Sequence, residues 1–415
     1  MTVQVDLRHV ASADVYKGDV LAGTLARSGD DVVFSYDDAY RDDPNTDAVA
    51  WTIPKTMTQL SAGAGSVPPF FAGLLPEGIR LSGIVAGTKT SEDDHLTILL
   101  AVGSDTIGDV RVVPQATRPH LRSSTVDPSD RVPDLRALFD KLSGPESVTV
   151  DRVSLPGVQG KVSAQMHTSP VSTTRGAAIL KLAPPNRFPH LVENEHFFMA
   201  VAETCGVTVP RTQMITDDRG VTGLLVQRFD RDGDSALAQE DACQINALYP
   251  SAKYRMKSET VFDSLSSVVE RGGGSARAAT LDLLRLTVYS YAIGNGDLHG
   301  KNYSVRRHPR GHWEVTPAYD LLCTQPYMGW DDPMALTFYG RNNRWNRRHV
   351  LDGAARHSIP AKATGRVLDD VVHGVRAAVD GLGAIGFDDK TAARMARVIR
   401  RRCDDLSSRP DMPTG

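Results

Sequence analysis

Asp297, Asn302 and Asp320 are the residues whose types and spacing suit chemistry at a phosphate. The segment 293–304, IGNGDLHGKNYS, sets four residues between Asp297 and Asn302, and Asp320 follows a stretch with hairpin character. An ionised Asp accepts the proton of an incoming hydroxyl. The oxygens of an Asn amide and a second carboxylate suit Mg²⁺, which needs few protein ligands beside phosphate and water. A short rigid loop keeps such groups aimed at one phosphoryl group. Asp and Asn in loops are also ordinary turn formers, so the ordered set Asp297, Asn302, hairpin, Asp320 carries the reading rather than any single member. The spacing therefore predicts phosphoryl transfer, with Asp297 as base and Asn302 and Asp320 as metal ligands.

Other candidates lie upstream. Ser154 to Lys161, SLPGVQGK, reads either as a phosphate-cradling loop or as a hairpin turn. In the first reading Gly157 and Gly160 let backbone amides approach an anion, and Lys161 adds charge. Lys181 stands within the strand-like AAILKL, and Glu195 lies on the following helical segment. Protein kinases use a strand lysine paired with a helix glutamate to hold the α and β phosphates, and they place a base and a metal-binding Asn at the Asp-x-x-x-x-Asn spacing. The segment Gln227-Arg228-Phe229 stands where a hinge would offer backbone groups to adenine, with Phe229 either packed on the base or in the core. His299 is open to three roles: orienting the loop, touching phosphate or making a structural hydrogen bond. No second His or Cys at ligand spacing supports zinc.

The elements that must position these groups follow from periodicity. Residues 1–36 read as strands, with Val3, Val5 and Leu7 alternating with polar residues and Val32 to Phe34 after a turn. Residues 67–80 lead into a helix, and HLTILLAV (95–102) reads as a buried helix ending before Gly103. The polar, proline-bearing 114–133 has linker composition. Strand, turn and strand are expected over 147–182, with a second turn at Thr173 to Gly176, then a helix over 192–205 closed by Gly206. VTVP (207–210) and GLLVQRF (223–229) read as strands, and a helical remainder follows from about 236, broken by a hairpin turning at His308 to Gly311. The helix before the candidate loop, ATLDLLRLTVYSYAIGN, is apolar on several sides and makes a firm platform. The expected class is α+β: a β-rich N-terminal lobe with an extra N-terminal subdomain, then a mostly helical C-terminal lobe. The expected boundaries are 1–113, 134–235 and 236–408. One such architecture places a nucleotide in the cleft between lobes.

Composition limits the alternatives. The chain has 415 residues, 41% hydrophobic and 23% charged, with a formal net charge of −3. This suits a multi-lobed globular protein and not a nucleic-acid coat. Its four scattered cysteines point to neither a disulfide framework nor a zinc site. The charged N-terminus and the lack of a long apolar run lead to the expectation of a cytoplasmic protein with no membrane association. The C-terminal stretch TAARMARVIRRRCDD carries Arg394, Arg397, Arg400, Arg401 and Arg402, a run that suits either phosphate contact or a solvated helix face.

The motifs SLPGVQGKVS, AILKLAPP, VENEHFFMAVAETCGVTVP, VQRFDR, AQEDACQ, IGNGDLHGKNYS and TPAYDLL, in this order, resemble the HipA-type serine/threonine kinase toxins, and FFAGLLPEG (70–78) resembles the N-terminal domain of that family. The resemblance spans roughly residues 5–400. It implies a kinase-like fold with an added N-terminal subdomain, use of ATP and Mg²⁺, and phosphorylation of a protein serine. Known targets in the family include aminoacyl-tRNA synthetases. It also implies pairing with a HipB-like helix-turn-helix antitoxin that carries the contact with operator DNA, and growth arrest and persistence as the outcome. Carried over by residue, Asp297 matches the base, and Asn302 and Asp320 match the metal ligands. Lys181 matches the phosphate lysine and Glu195 its ion-pair support. Pro156, Gly157, Val158, Gln159, Gly160 and Lys161 match the nucleotide loop. Gln227, Arg228 and Phe229 match the hinge, and His299 and Tyr319 fall among the nucleotide-site positions. Ser154 matches a serine that family members autophosphorylate, where a phosphate adding about −1.5 to −2 charges would silence the kinase. Gly160 stands where many members carry an acidic residue or proline, and Gln227 replaces a common glutamate. Two other readings stay open: a kinase of a small molecule, and a kinase-like co-repressor acting on DNA with an antitoxin.

Overall fold

The computed structural model describes residues 6–119, 132–143, 166–184 and 187–407. They form two compact units. The first takes the described residues within Met1–Gly160, Ala164–Pro184 and Ile215–Ser251, and the second those within Pro185–Met214 and Ala252–Gly415. The sequence predicts three parts. Most of its first two fall in one unit here, while the helix Leu191–Thr204 belongs to the other.

The first unit holds two sheets. Strands β1 (Ser12–Lys17), β2 (Val20–Ser28), β3 (Asp31–Tyr36), β4 (Gln59–Ala62) and β5 (Val110–Pro114) assemble in the antiparallel order β4-β3-β2-β1-β5. Val32, Phe34 and Tyr36 alternate with more exposed residues along β3, the period that buries one face of a sheet. That face shares a core with the helix His95–Val102, in which every residue from Leu96 to Val102 is buried. This helix ends before Gly103, as its apolar run predicts. The expected first strand is different: Leu7 lies in a 3₁₀ turn, Leu7–His9, because the Asp6 carboxylate accepts the amide of Arg8 and bends the chain there. Val3 and Val5 lie outside the described residues.

The second sheet contains β6 (His167–Thr173), β7 (Gly176–Leu182), β8 (Thr212–Thr216) and β9 (Thr222–Gln227) in the order β6-β7-β9-β8; of β8, Ile215 and Thr216 fall in this unit. The β6–β7 hairpin turns between Thr173 and Gly176, as expected. VTVP does not form a strand. Val207 donates its amide to Ala202 O as the chain leaves the helix Leu191–Thr204, and the strand starts only beyond Pro210.

Glu240 tests the interior of the first unit. Its Oε1 accepts the amide of Trp51 at 2.9 Å, while Oε2 has no hydrogen-bond partner among the described residues. Burial outweighs the Trp51 amide and Lys17 and pushes its pKa up to about 7. A carboxyl that keeps its proton longer folded than unfolded contributes stability fully present below its ordinary value of 4.5 and lost as pH rises through about 7. Glu240→Gln keeps the shape and removes the titration. Its melting temperature should match wild type near about pH 4 and exceed it near about pH 8. An equal gap at both pH values would refute this.

The second unit is mainly helical. The helix Ala276–Ile293 is capped by the Ser275 hydroxyl and contacts the helices Ser258–Arg271, Ala361–Ala378 and Asp389–Ser407. Leu283, Leu284, Val288, Tyr289 and Tyr291 are all buried, so it is the many-sided platform its sequence suggests. After it the strands Ser304–Arg307 and Trp313–Val315 form the expected hairpin.

The C-terminal basic run is largely committed within this unit. Arg402 is buried and donates to Tyr291 O at 2.8 Å and Asp332 O at 3.0 Å. Arg400 pairs with Asp380 and Arg401 with Asp331, while Arg394 stacks over Trp330. Arg402 thus serves the core, while Arg400 and Arg401 are paired on the exposed face. Among the described residues no helix is long and apolar enough to cross a membrane.

Candidate active site

The loop after the platform helix is set by its own sequence. Gly294 takes φ +80°, and its amide and that of Asn295 close the helix end on Tyr291 O and Ser290 O, a Schellman-type exit that needs glycine. Gly296 has no room for a side chain, since a β-carbon there would overlap the Asp332 carboxylate. Its amide donates to the Thr324 hydroxyl at 2.9 Å.

Asn295 is the organiser of the loop. Its Oδ1 accepts the amide of Asp297 at 3.0 Å, and its Nδ2 donates to Asp320 O at 3.4 Å. One amide side chain thus joins the backbone of the candidate base to that of the candidate metal ligand. Asp297 is buried to 3% exposure, and its Oδ1 accepts the Tyr254 hydroxyl at 2.9 Å.

Asn302 and Asp320 converge. Asn302 Nδ2 donates to Asp320 Oδ2 at 3.1 Å, and Asn302 Oδ1 accepts the amide of His299 at 3.2 Å. Asp320 sits in the left-handed region with φ +56°, where Asp is one of the better-tolerated residues. The donor set fits magnesium: a carboxylate and an amide carbonyl are hard oxygen ligands, and two such residues within hydrogen-bond distance leave most positions to phosphate and water.

Tyr319 has a holding role. Its hydroxyl donates to Lys301 O at 2.6 Å and lies 2.7 Å from the Ser304 hydroxyl, which ties the start of the Asp320 segment to the end of the loop. His299 is buried, and the Tyr254 ring stands edge-on to it at 5.1 Å.

The remaining candidates belong to different units. Lys181 is buried on β7 in the first unit, opposite Leu224 of β9. Glu195 is fully buried in the helix Leu191–Thr204 of the second. Gln227 ends β9 and is exposed, and Phe229 is half-buried. The amide of Arg228 is donated to Ala177 O at 3.0 Å, so it continues the sheet and is not on offer to an adenine. Of the backbone groups expected at a hinge over 227–229, the Arg228 amide is one that the sheet takes up. Ser154, Pro156, Gly157, Val158, Gln159, Gly160 and Lys161 lie outside the described residues.

The Arg228 side chain does something the sequence did not suggest. It is buried between two carboxylates, bonding both oxygens of Asp105 at 3.0 Å and Asp230 at 2.7 and 2.9 Å. Its fork also donates to Thr106 O at 2.8 Å, and Asp230 accepts the amide of Gly108 at 3.0 Å. Arg231 joins through Asp230 and Asp105. Burial alone would raise the Asp230 pKa, but the two arginines overcome it and hold the carboxyl down at about 2. This network welds the end of β9 to residues 105–108 within the first unit.

The chain is similar to known proteins. The HipA-like C-terminal domain matches residues 153–379, and the HipA N-terminal domain matches residues 13–113. Y4mE of Sinorhizobium fredii, named as a kinase, is 32% identical over 75% of this chain and 77% of its own length. The Shewanella oneidensis serine/threonine-protein kinase toxin HipA is 26% identical over 69% of each chain. A solved structure of the Shewanella oneidensis toxin–antitoxin system, HipA with HipB and its operator DNA, matches with TM-score 0.71 at 19% identity. It covers 95% of this chain and 97% of the matched one.

Proposed function

Because the chain belongs to the HipA family of kinases, we propose that it transfers the γ-phosphate of ATP to the hydroxyl of a protein serine or threonine, as the toxin of a toxin–antitoxin pair. The observation that carries this reading is that Asn295 joins the backbones of Asp297 and Asp320, and that Asn302 donates directly to the Asp320 carboxylate. Asp297 accepts the acceptor's proton as its oxygen forms a bond to the γ-phosphorus and the bond to the β–γ bridging oxygen breaks, releasing ADP. Asn302 Oδ1 and the Asp320 carboxylate would hold Mg²⁺, which would supply neutralisation of the phosphate charge. Lys181 and the 156–161 loop hold phosphates, and backbone groups of Gln227 and Phe229 serve the adenine. Ser154 is the site of silencing autophosphorylation. An aminoacyl-tRNA synthetase is a candidate target. The partnership with a helix-turn-helix antitoxin, and with operator DNA through it, draws support from the composition of the Shewanella complex.

Incubation with labelled ATP and Mg²⁺ should label the protein itself, with the phosphate mapping to Ser154. Calorimetry should show nucleotide binding that strengthens with Mg²⁺. Asn302→Ala should remove at least about tenfold of that metal-dependent gain, with little effect on metal-free binding. A chain that binds no nucleotide in either condition would overturn the proposal.

A further inference from the structure

We propose that Tyr254 is the positioning residue of Asp297, setting the direction of its carboxylate for proton transfer. The inference rests on the phosphotransferase reading and goes beyond the set Asp297, Asn302 and Asp320. Asn295 fixes the Asp297 backbone. The Tyr254 hydroxyl constrains the side chain by donating to Asp297 Oδ1 at 2.9 Å. A phenol is protonated near neutral pH and acts here as donor to the Asp297 carboxylate oxygen. A carboxylate accepts at about four lone-pair positions, so the phenol and an acceptor hydroxyl do not compete for one place.

Tyr254 is itself held. Its ring stands edge-on to His299 at 5.1 Å and 82°, and the Lys253 ammonium lies 5.5 Å from the ring centroid. The neighbouring carbonyl, Lys253 O, accepts the amide of Gly300 at 3.0 Å. Two consecutive residues thus grip the loop twice, once through the Asp297 side chain and once through the Gly300 backbone. This is the arrangement that preorganisation of a base requires: a fixed donor on a segment that also fixes the loop.

Tyr254→Phe keeps the ring and its packing on His299 and deletes only the hydroxyl. In the labelled-ATP assay on the full chain, the rate constant of self-labelling should fall about tenfold, part of the ~10²–10⁴ that a general base contributes. The ATP concentration giving half the maximal rate and the melting temperature should stay at the wild-type values. An unchanged rate constant overturns the proposal. So does a fall accompanied by a lower melting temperature and a raised half-maximal ATP concentration, which would mark Tyr254 as packing only. Wild type that transfers no phosphate at all would instead remove the phosphotransferase reading beneath it.

Discussion

Asp297→Asn should lower phosphate transfer at least about a hundredfold while leaving the fold and Mg-ATP affinity in place. The substitution is nearly isosteric. The amide of residue 297 still reaches Asn295 Oδ1, because that bond uses backbone, and an Asn carbonyl still accepts the Tyr254 hydroxyl. Asn302 and Asp320 still face each other, because their hydrogen bond does not pass through residue 297. Proton acceptance is lost. Incorporation of labelled phosphate by equal amounts of wild type and variant gives the ratio, and a thermal melt with calorimetry checks the rest. Labelling at the wild-type level would assign the base elsewhere. A phosphoproteome taken after brief expression, wild type against variant, would then name the target.

Asp230→Ala should cost about 3–5 kcal/mol of stability, the range seen when one partner of a buried ion pair is removed. The reason is the group left behind. The Arg228 side chain is 1% exposed and that of Asp230 2% exposed, so deleting the carboxylate strands part of a guanidinium charge away from water. Denaturant unfolding, followed in the transition of the first unit, measures the loss. A change under about 1 kcal/mol would show that Asp105 and Arg231 reorganise to cover it. The pH dependence has a definite direction. A carboxyl held down at about 2 contributes stability that is present above its ordinary 3.8 and lost as pH falls through about 2. Wild type should therefore lose part of its advantage over Asp230→Ala on acidification.

The sequence revealed what is local. His95–Val102 and Ala276–Ile293 are long apolar runs closed by glycine, and the hairpin after the loop alternates around a turn. Asp297 and Asn302 were legible for the same reason, since they share one short loop. Strand readings failed where a side chain or neighbouring helix redirected the backbone, as Asp6 does at Leu7 and Ala202 does at Val207. Long-range partners left no trace. Tyr254 meets Asp297 across 43 residues, and Arg228 meets Asp105 across 123. Asn295 was the exception that pattern could have caught: Asn two residues before Asp is an Asx-turn signature. Charge counting also misjudged Arg402, because a run of arginines on a helix does not reveal which one faces the core.

The four cysteines give the molecule its own reporters of opening. Cys205, Cys243, Cys323 and Cys403 are all buried thiols, with Cys243 in the first unit and the others in the second. Burial raises the pKa of Cys205 to about 11 and those of Cys323 and Cys403 to about 12, so the native protein offers little thiolate to an alkylating reagent. Modification must wait for local or global opening. A time course resolved by mass spectrometry therefore times the two units separately in one unmodified chain. Mg-ATP, by slowing the clock at Cys323 beside the Asp320 segment, would reveal its binding without any turnover.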